Sequence, residues 1–262
     1  MSEAILAESL PKGIKSTKIA WTDTTLNFWI GCQKISPGCK NCYAERIVRD
    51  RMGREHWATS PRWRTKAAWD DAYRYNRIAK NAGRRIMVFA NDMSDWAEDH
   101  PDVNRWRWDM WRVIKECRWL DWQLLTKRAD RIARCLPADW NDGYPNVWLG
   151  VSIESDDYCW RADRLREVNS GIRFISYEPA LGPLDSLDLA GIDWLIIGGE
   201  SGPHYRPFDH NWARELRVRC ALSNTAFFFK QSAAIRTEMG IELDGAIVRE
   251  YPKVMSDLVG VG

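Results

Sequence analysis

What most constrains this chain is an alternation of strand-like and helical stretches. Seven short apolar runs of strand type lie at Phe28–Gly31, Arg85–Ala90, Asp121–Leu125, Asn146–Val151, Ile172–Ser176, Asp193–Gly198 and Thr225–Phe229. Helical stretches lie between them near residues 40–52, 67–82, 102–117, 128–136, 156–168 and 210–222. Strand and helix in alternation imply parallel strands joined by right-handed crossovers. About seven such units in a chain of 262 residues fit an α/β fold, a full or partial (β/α) TIM-like barrel, with an open doubly wound sheet as the runner-up. The expected organisation is a flexible N-terminal arm over 1–18, a barrel over 19–232 with an insertion at 53–66, and a C-terminal tail over 233–262. In the tail, Asp244–Gly245 between two short β-like runs signals a hairpin.

Polar clusters follow nearly every expected strand. They are Asn91–Asp92–Met93–Ser94–Asp95, Thr126–Lys127–Arg128, Ser152–Ile153–Glu154, Tyr177–Glu178–Pro179, Gly199–Glu200–Ser201–Gly202 and Lys230–Gln231. In a parallel barrel these strand ends converge on one rim, where ligands bind. A single cluster is merely a polar loop, whereas six that carry Glu154, Glu178, Glu200, Lys127 and Lys230 point to a site.

Composition narrows the class. No run of about 18 apolar residues exists, so no membrane span is expected. The seven cysteines are odd in number and unevenly clustered, which favours a reducing cytoplasm and metal binding over a disulfide framework. The formal charge of +2 does not announce a nucleic-acid partner. Locally, Arg46–Arg54, Arg62–Trp63–Arg64 and Arg105–Trp106–Arg107–Trp108 mix Arg with Trp, as a base-stacking and phosphate-touching surface does. Most of the 16 Trp are nevertheless expected in the core. On the helix at 102–117, Val103, Trp106, Met110, Val113, Ile114 and Cys117 share one face and Trp108 points away.

Three cysteines stand apart from the rest. Cys32, Cys39 and Cys42 form a C-x6-C-x2-C pattern, with Pro37–Gly38 between them, where the first strand gives way to the first helix. Three readings stay open on spacing alone. One is a [4Fe–4S] cluster with an open iron; another is a structural Zn2+ with a fourth ligand such as His56; the third is no metal. A zinc ribbon would normally show a second C-x2-C, and the chain has none. Cys117, Cys135 and Cys220 read as buried apolar residues.

The residues GCQKISPGCKNCYAER, followed in order by VFANDMSDW, LLTKR, NVWLGVSIE, SYEPALGPL, LIIGGESGPHYRP and FFFKQ, resemble a phage- and prophage-associated three-Cys-motif family. That family looks like a divergent branch of the radical S-adenosylmethionine (SAM) enzymes. The resemblance runs from about Trp21 to Pro252. It departs from the usual C-x3-C-x2-C, and Asn41 stands where an aromatic commonly precedes the last cysteine.

The resemblance implies a barrel of the radical SAM type. Cys32, Cys39 and Cys42 would hold a [4Fe–4S] cluster, with S-adenosyl-L-methionine on its open iron. It further implies reductive cleavage of SAM to methionine and a 5′-deoxyadenosyl radical, with a reductant such as flavodoxin or ferredoxin as partner. By strand order, Asn91, Ser94 and Asp95 would meet the methionyl amine. Ser152 and Glu154 would face the ribose and carboxylate, and Gly198 and Gly199 would leave room for adenine. Glu178, Glu200, Lys127 and Lys230 would serve catalysis on a nucleic-acid base or nucleotide, as in DNA repair or modification. A metal-stabilised nucleic-acid- or protein-binding barrel without catalysis is the alternative. A third reading is a cofactor-free hydrolase using Glu178 and Glu200 as an acid/base pair.

Overall fold

The computed structural model describes residues 9–53 and 56–253. The first eight residues of the expected arm, Arg54 and Glu55 of the insertion, and residues 254–262 of the tail lie outside the described residues.

Among the described residues, nine strands and six α-helices follow one another along the chain, with no helix between β1 and β2 or between β7 and β8. The strands are β1 (Thr24–Leu26), β2 (Trp29–Ile30), β3 (Trp63–Arg64), β4 (Ile86–Ala90), β5 (Leu120–Thr126), β6 (Val147–Ser152), β7 (Ile172–Tyr177), β8 (Trp194–Gly198) and β9 (Ala226–Gln231). The helices are α1 (Tyr43–Met52), α2 (Ala67–Ala82), α3 (Pro101–Glu116), α4 (Ile132–Cys135), α5 (Trp160–Arg166) and α6 (His210–Ser223). Seven strands form one sheet in the order β1-β4-β5-β6-β7-β8-β9, and every pairing is parallel. The sheet curls into a half-barrel. A doubly wound sheet would reverse its strand order at a switch point, and this order runs monotonically.

The first strand differs from its expectation. Phe28–Gly31 is not in the main sheet; Thr24–Leu26 is, paired with Val88–Ala90. Trp29–Ile30 instead forms an antiparallel ribbon with Trp63–Arg64, which lies in the 53–66 insertion. Hydropathy favoured Phe28–Trp29–Ile30, but the half-polar Thr24–Thr25–Leu26 segment wins because Leu26 and Thr24 are buried against β4. The helical stretches at 128–136 and 156–168 each begin with a 3-10 turn, at Ala129–Arg131 and Asp156–Tyr158. The Asp244–Gly245 hairpin forms with both residues at positive φ and reciprocal Leu243–Ala246 hydrogen bonds. The chain after it runs antiparallel to β9, with Phe229 N–H donating to Val248 O at 2.8 Å and Glu250 N–H to Phe227 O at 3.0 Å. It covers the β9 edge, which would otherwise present unpaired backbone groups.

Two cores hold the sheet. Outside it, helices pack against apolar strand residues, and α3 shows why. Pro101 starts the helix, His100 Nδ1 accepts from Asp102 N–H at 3.3 Å, and the expected Val103, Trp106, Met110, Val113, Ile114 face is buried. Trp108 on the far side is 51% exposed, as its phase demands. Inside the curl, Trp21, Phe89, Trp148, Phe174, Trp194, Ile196 and Phe228 form a second cluster. Nine of the 16 Trp are buried, so the aromatic excess serves packing first. The inner cluster fills the curl, and the C-terminal strand ends carry the polar clusters. Among the described residues, no helix is long and apolar enough to cross a membrane.

Candidate functional site

The loop from Gly31 to Cys42 lies on that rim, and the segments after β4, β5, β6 and β8 hold it. Gly31 N–H donates to Met93 O at 3.1 Å, after β4. Ser36 Oγ donates to Glu154 Oε1 at 2.5 Å, after β6. Asn41 Nδ2 donates to Glu200 Oε2 at 2.9 Å and to His204 O at 2.8 Å, after β8. Arg206 Nη1 reaches Pro37 O at 3.0 Å, and the Tyr43 hydroxyl donates to Asp92 O at 2.8 Å. Gly38 makes the closure possible: a Cβ there would stand 2.4 Å from Glu154 Cγ. Pro37–Cys39 forms a 3-10 turn, and Cys42 occupies the N-cap of α1.

The three thiols are half-buried and free of disulfides. Burial pushes the Cys32 thiol far up, Asp95 adds to the rise, and Arg128 Nη1 at 3.6 Å opposes it. Burial also raises Cys42, against the pull of the Glu45 and Ala44 N–H groups and of Lys127. Ser36 Oγ lies 3.7 Å from Cys39 Sγ. Among the described residues, no three His, Cys, Asp or Glu groups converge as a metal site. His56 turns its Nδ1 to Pro61 O at 2.8 Å, and its buried Nε2 has no partner.

Behind Cys32 lies a saturated charge network. Arg128 Nη1 meets Asp95 Oδ2 at 2.8 Å, and its Nη2 meets Gln33 O at 2.8 Å and Glu98 Oε1 at 3.4 Å. Arg62 clamps Glu98 with two bonds of 2.8 and 2.9 Å. Asp95 also accepts from Thr126 Oγ1 at 2.6 Å, Lys127 N–H at 3.1 Å and Ala97 N–H at 3.0 Å. Two cations and two anions balance, as a buried network must.

Several residues expected to face a ligand are held by internal contacts. Asp95 is consumed by internal bonds, not left for a ligand amine. Asn91, at φ +65°, accepts from Phe28 N–H at Oδ1 (2.9 Å) and donates from Nδ2 to Met110 Sδ at 3.5 Å. Ser94 Oγ bonds Trp29 O at 3.1 Å. These three fix the entry to the cysteine loop. Gly198 and Gly199 lack side chains for the protein's own sake. A Cβ on the first would stand 2.7 Å from Glu178 Oε1, and on the second 2.2 Å from Ala233 N, so neither position is spare room for adenine. Arg62 and Arg107 are buried in structural bonds, so the Arg/Trp segments containing them are not phosphate-contacting surfaces at those positions.

The remaining rim groups differ. Glu154, fully buried, bridges Ser36 and Arg161 Nη1 (2.8 Å), with Lys127 Nζ at 3.6 Å. Arg161 also donates to Ser152 O at 2.7 Å. Glu178 Oε1 accepts from Lys230 Nζ at 2.7 Å, and its Oε2 from Ser176 Oγ at 3.2 Å. Glu200 is bound by Arg206 through bonds of 2.5 and 3.0 Å; burial raises its carboxyl, but Arg206 and Asn41 outweigh this and hold it below the usual range. A general acid needs a raised value, so Glu200 does not suit the acid's place in an acid/base pair.

Sequence reasoning passed over Glu98, Arg161 and Arg206, which brace the rim, and the Tyr43–Asp92 contact, and it read Arg62 as part of a phosphate-touching segment where it in fact braces Glu98. Only Arg128, beside Lys127 in the LLTKR run, carried a local signal.

No curated protein and no solved structure matches this chain. A family model described as a protein of unknown function (DUF5131) matches residues 16–252, from before β1 to the end of the strand pairing beyond β9. With nearly all of the half-barrel and its cysteine loop inside that match, the chain belongs to the DUF5131 family.

Proposed function

We propose that this protein is a radical SAM iron–sulfur enzyme that acts on a nucleic-acid base or nucleotide. The observation that carries the reading is the position of the three thiols. A loop with free Cys32, Cys39 and Cys42 is tied by Glu154, Glu200 and Asp92 to the mouth of a parallel half-barrel, where such folds bind ligands. A purely structural staple has no need of the mouth.

Three free thiols in one loop are the donor chemistry of an iron–sulfur cluster. Cys42 sits at a helix start with backbone N–H groups aimed at its sulfur, and Lys127 and Arg128 bring positive charge to Cys42 and Cys32. These are the features that stabilise anionic sulfur ligands. When bound, the cluster and SAM together supply one-electron cleavage of the sulfonium and hence a hydrogen-abstracting radical. The residues of this chain bind and orient. Lys127, with one long contact to Glu154, suits a carboxylate of the cofactor. Glu178, 15% exposed in its side chain, suits a cationic amine, and Lys230 Nζ holds a proton beside it. The aromatic filling of the curl keeps water from entering from below.

The test is iron and sulfide content with the visible spectrum after anaerobic reconstitution, with and without SAM. About four irons per chain and a spectrum changed by SAM support the reading; Cys39→Ala then loses both. One zinc and no iron would favour the second reading, a metal-stabilised binding barrel. That reading draws on the saturation of Asp95, Glu98 and Glu200 by internal cations.

A further inference from the structure

Several carboxylates on the cysteine loop side of the barrel are held by cations. Lys34 holds Glu45 at 2.6 Å, Arg49 holds Asp50 at 2.8 Å, Arg206 holds Glu200, and Arg249 holds Glu238 at 3.0 Å. Lys40, Arg46 and Arg236 are left over: among the described residues none of them enters an ion pair. Their three segments form one surface. The Arg46 guanidinium lies over Gly202, so closely that a Cβ there would stand 2.4 Å from Nη1, and Gly202 takes φ +131°. Gly202 N–H in turn donates to Ala234 O at 3.0 Å, two residues before Arg236. Asn41, next to Lys40, holds His204 O, and Tyr205 beside it is 46% exposed.

We infer that this surface, formed by the cysteine loop, α1 and the loops after β8 and β9, is a contact surface for single-stranded nucleic acid. Arg46, Lys40 and Arg236 meet successive phosphates and Tyr205 stacks on a base. The inference rests on the proposed nucleic-acid substrate and names where it lies. A half-buried guanidinium with no carboxylate partner is free to make charge-assisted hydrogen bonds to an incoming anion. Cations on three separate segments, with the exposed Tyr205 on the same loop as Gly202, match a strand of phosphates and bases better than one phosphate. The surface borders the three thiols through Asn41 and Pro37, so a bound strand passes beside the proposed chemistry.

The experiment is fluorescence anisotropy of a labelled single-stranded DNA oligonucleotide with the full chain, as purified and after reconstitution, over a series of KCl concentrations. AMP and a duplex of the same sequence compete as separate arms. The expected result is salt-dependent binding of the single strand. The triple variant Lys40→Ala, Arg46→Ala, Arg236→Ala weakens it at least tenfold and flattens the log–log salt slope by about 2, at ~0.7 per phosphate contact on a single strand. Tyr205→Ala weakens it about tenfold without changing the slope, the signature of a lost stack. Arg118→Ala removes an exposed cation before β5, at the opposite end of the sheet, and leaves binding unchanged. Absence of binding, equal weakening by Arg118→Ala, or AMP competing as well as the strand would overturn the inference. Strand binding by a chain that takes up no iron on anaerobic reconstitution would sink the radical SAM reading and leave this surface standing; a loaded cluster without strand binding would do the reverse.

Discussion

The two sides of the barrel mouth use the same residue types in opposite ways. On the β4–β5 side, Asp95, Glu98, Arg62 and Arg128 have side chains no more than 8% exposed, and each makes several bonds. On the β7–β9 side, Glu178 and Lys230 meet once, at 2.7 Å, with side chains 15% and 16% exposed. The first group is wall. Its charges are neutralised inside the protein, and none has a valence left for a ligand. The second is a single pair at the edge of solvent that a ligand can open. Lys127 and Arg128 are neighbours in sequence and fall on different sides of this divide: Arg128 is locked behind Cys32, while Lys127 keeps one long contact.

The sharpest break of the comparison is Arg128→Ala. It leaves Asp95 buried without its cation and takes one partner from Glu98, which costs about 3–5 kcal/mol. Chemical denaturation will read this as a large drop in midpoint, or as insoluble protein; a change under 1 kcal/mol would show that the network is not the wall described here. Gly38→Ala comes next. Its Cβ meets Glu154 Cγ, so the cysteine loop lifts off the rim, with a cost of about 1–3 kcal/mol. Protease cleavage within residues 31–42 should rise, and iron retention after reconstitution should fall.

Lys230→Met should divide the two sides most clearly. Its loss of stability is about 1–2 kcal/mol, since Glu178 keeps Ser176 and some water. Substrate turnover, once an assay exists, should fall far more than that figure implies; unchanged turnover would return the pair to the wall. The smallest effect concerns Glu200. Its folded carboxyl titrates below the unfolded value of about 4.3. The stability it contributes is therefore present above that unfolded value and disappears as pH falls through the lower folded one. Melting temperatures from pH 7 down to pH 3 should fall less steeply for Glu200→Gln than for the parent, and parallel curves would deny the Arg206 contact its role.

Much of the architecture was legible because burial writes itself into apolar runs. Six of the seven expected sheet strands overlap observed ones, and the polar clusters do follow their C-terminal ends. The exception is Phe28–Gly31: the sheet takes Thr24–Leu26 in its stead, a segment too short and too polar to stand out, whose place is decided by pairing with β4. The candidate site was legible only as a neighbourhood. Ser94 and Asp95 looked like ligand contacts because they follow a strand; the backbone of Trp29 and the side chain of Arg128 claim them. Gly198 and Gly199 looked like space, and Glu178 and Ala233 fill it. Glu98 gave no signal, because its partners lie 30 and 36 residues away.

The sequence by itself determined the parallel α/β order, the Asp244–Gly245 hairpin, the apolar face of α3 and the grouping of Cys32, Cys39 and Cys42. All four depend on periodicity or on residues close along the chain. Only the tertiary structure decided which polar side chains are occupied. A carboxylate near a strand end is available or consumed according to whether a distant arginine reaches it, and in a low-dielectric wall that reach is set by packing, not by local pattern.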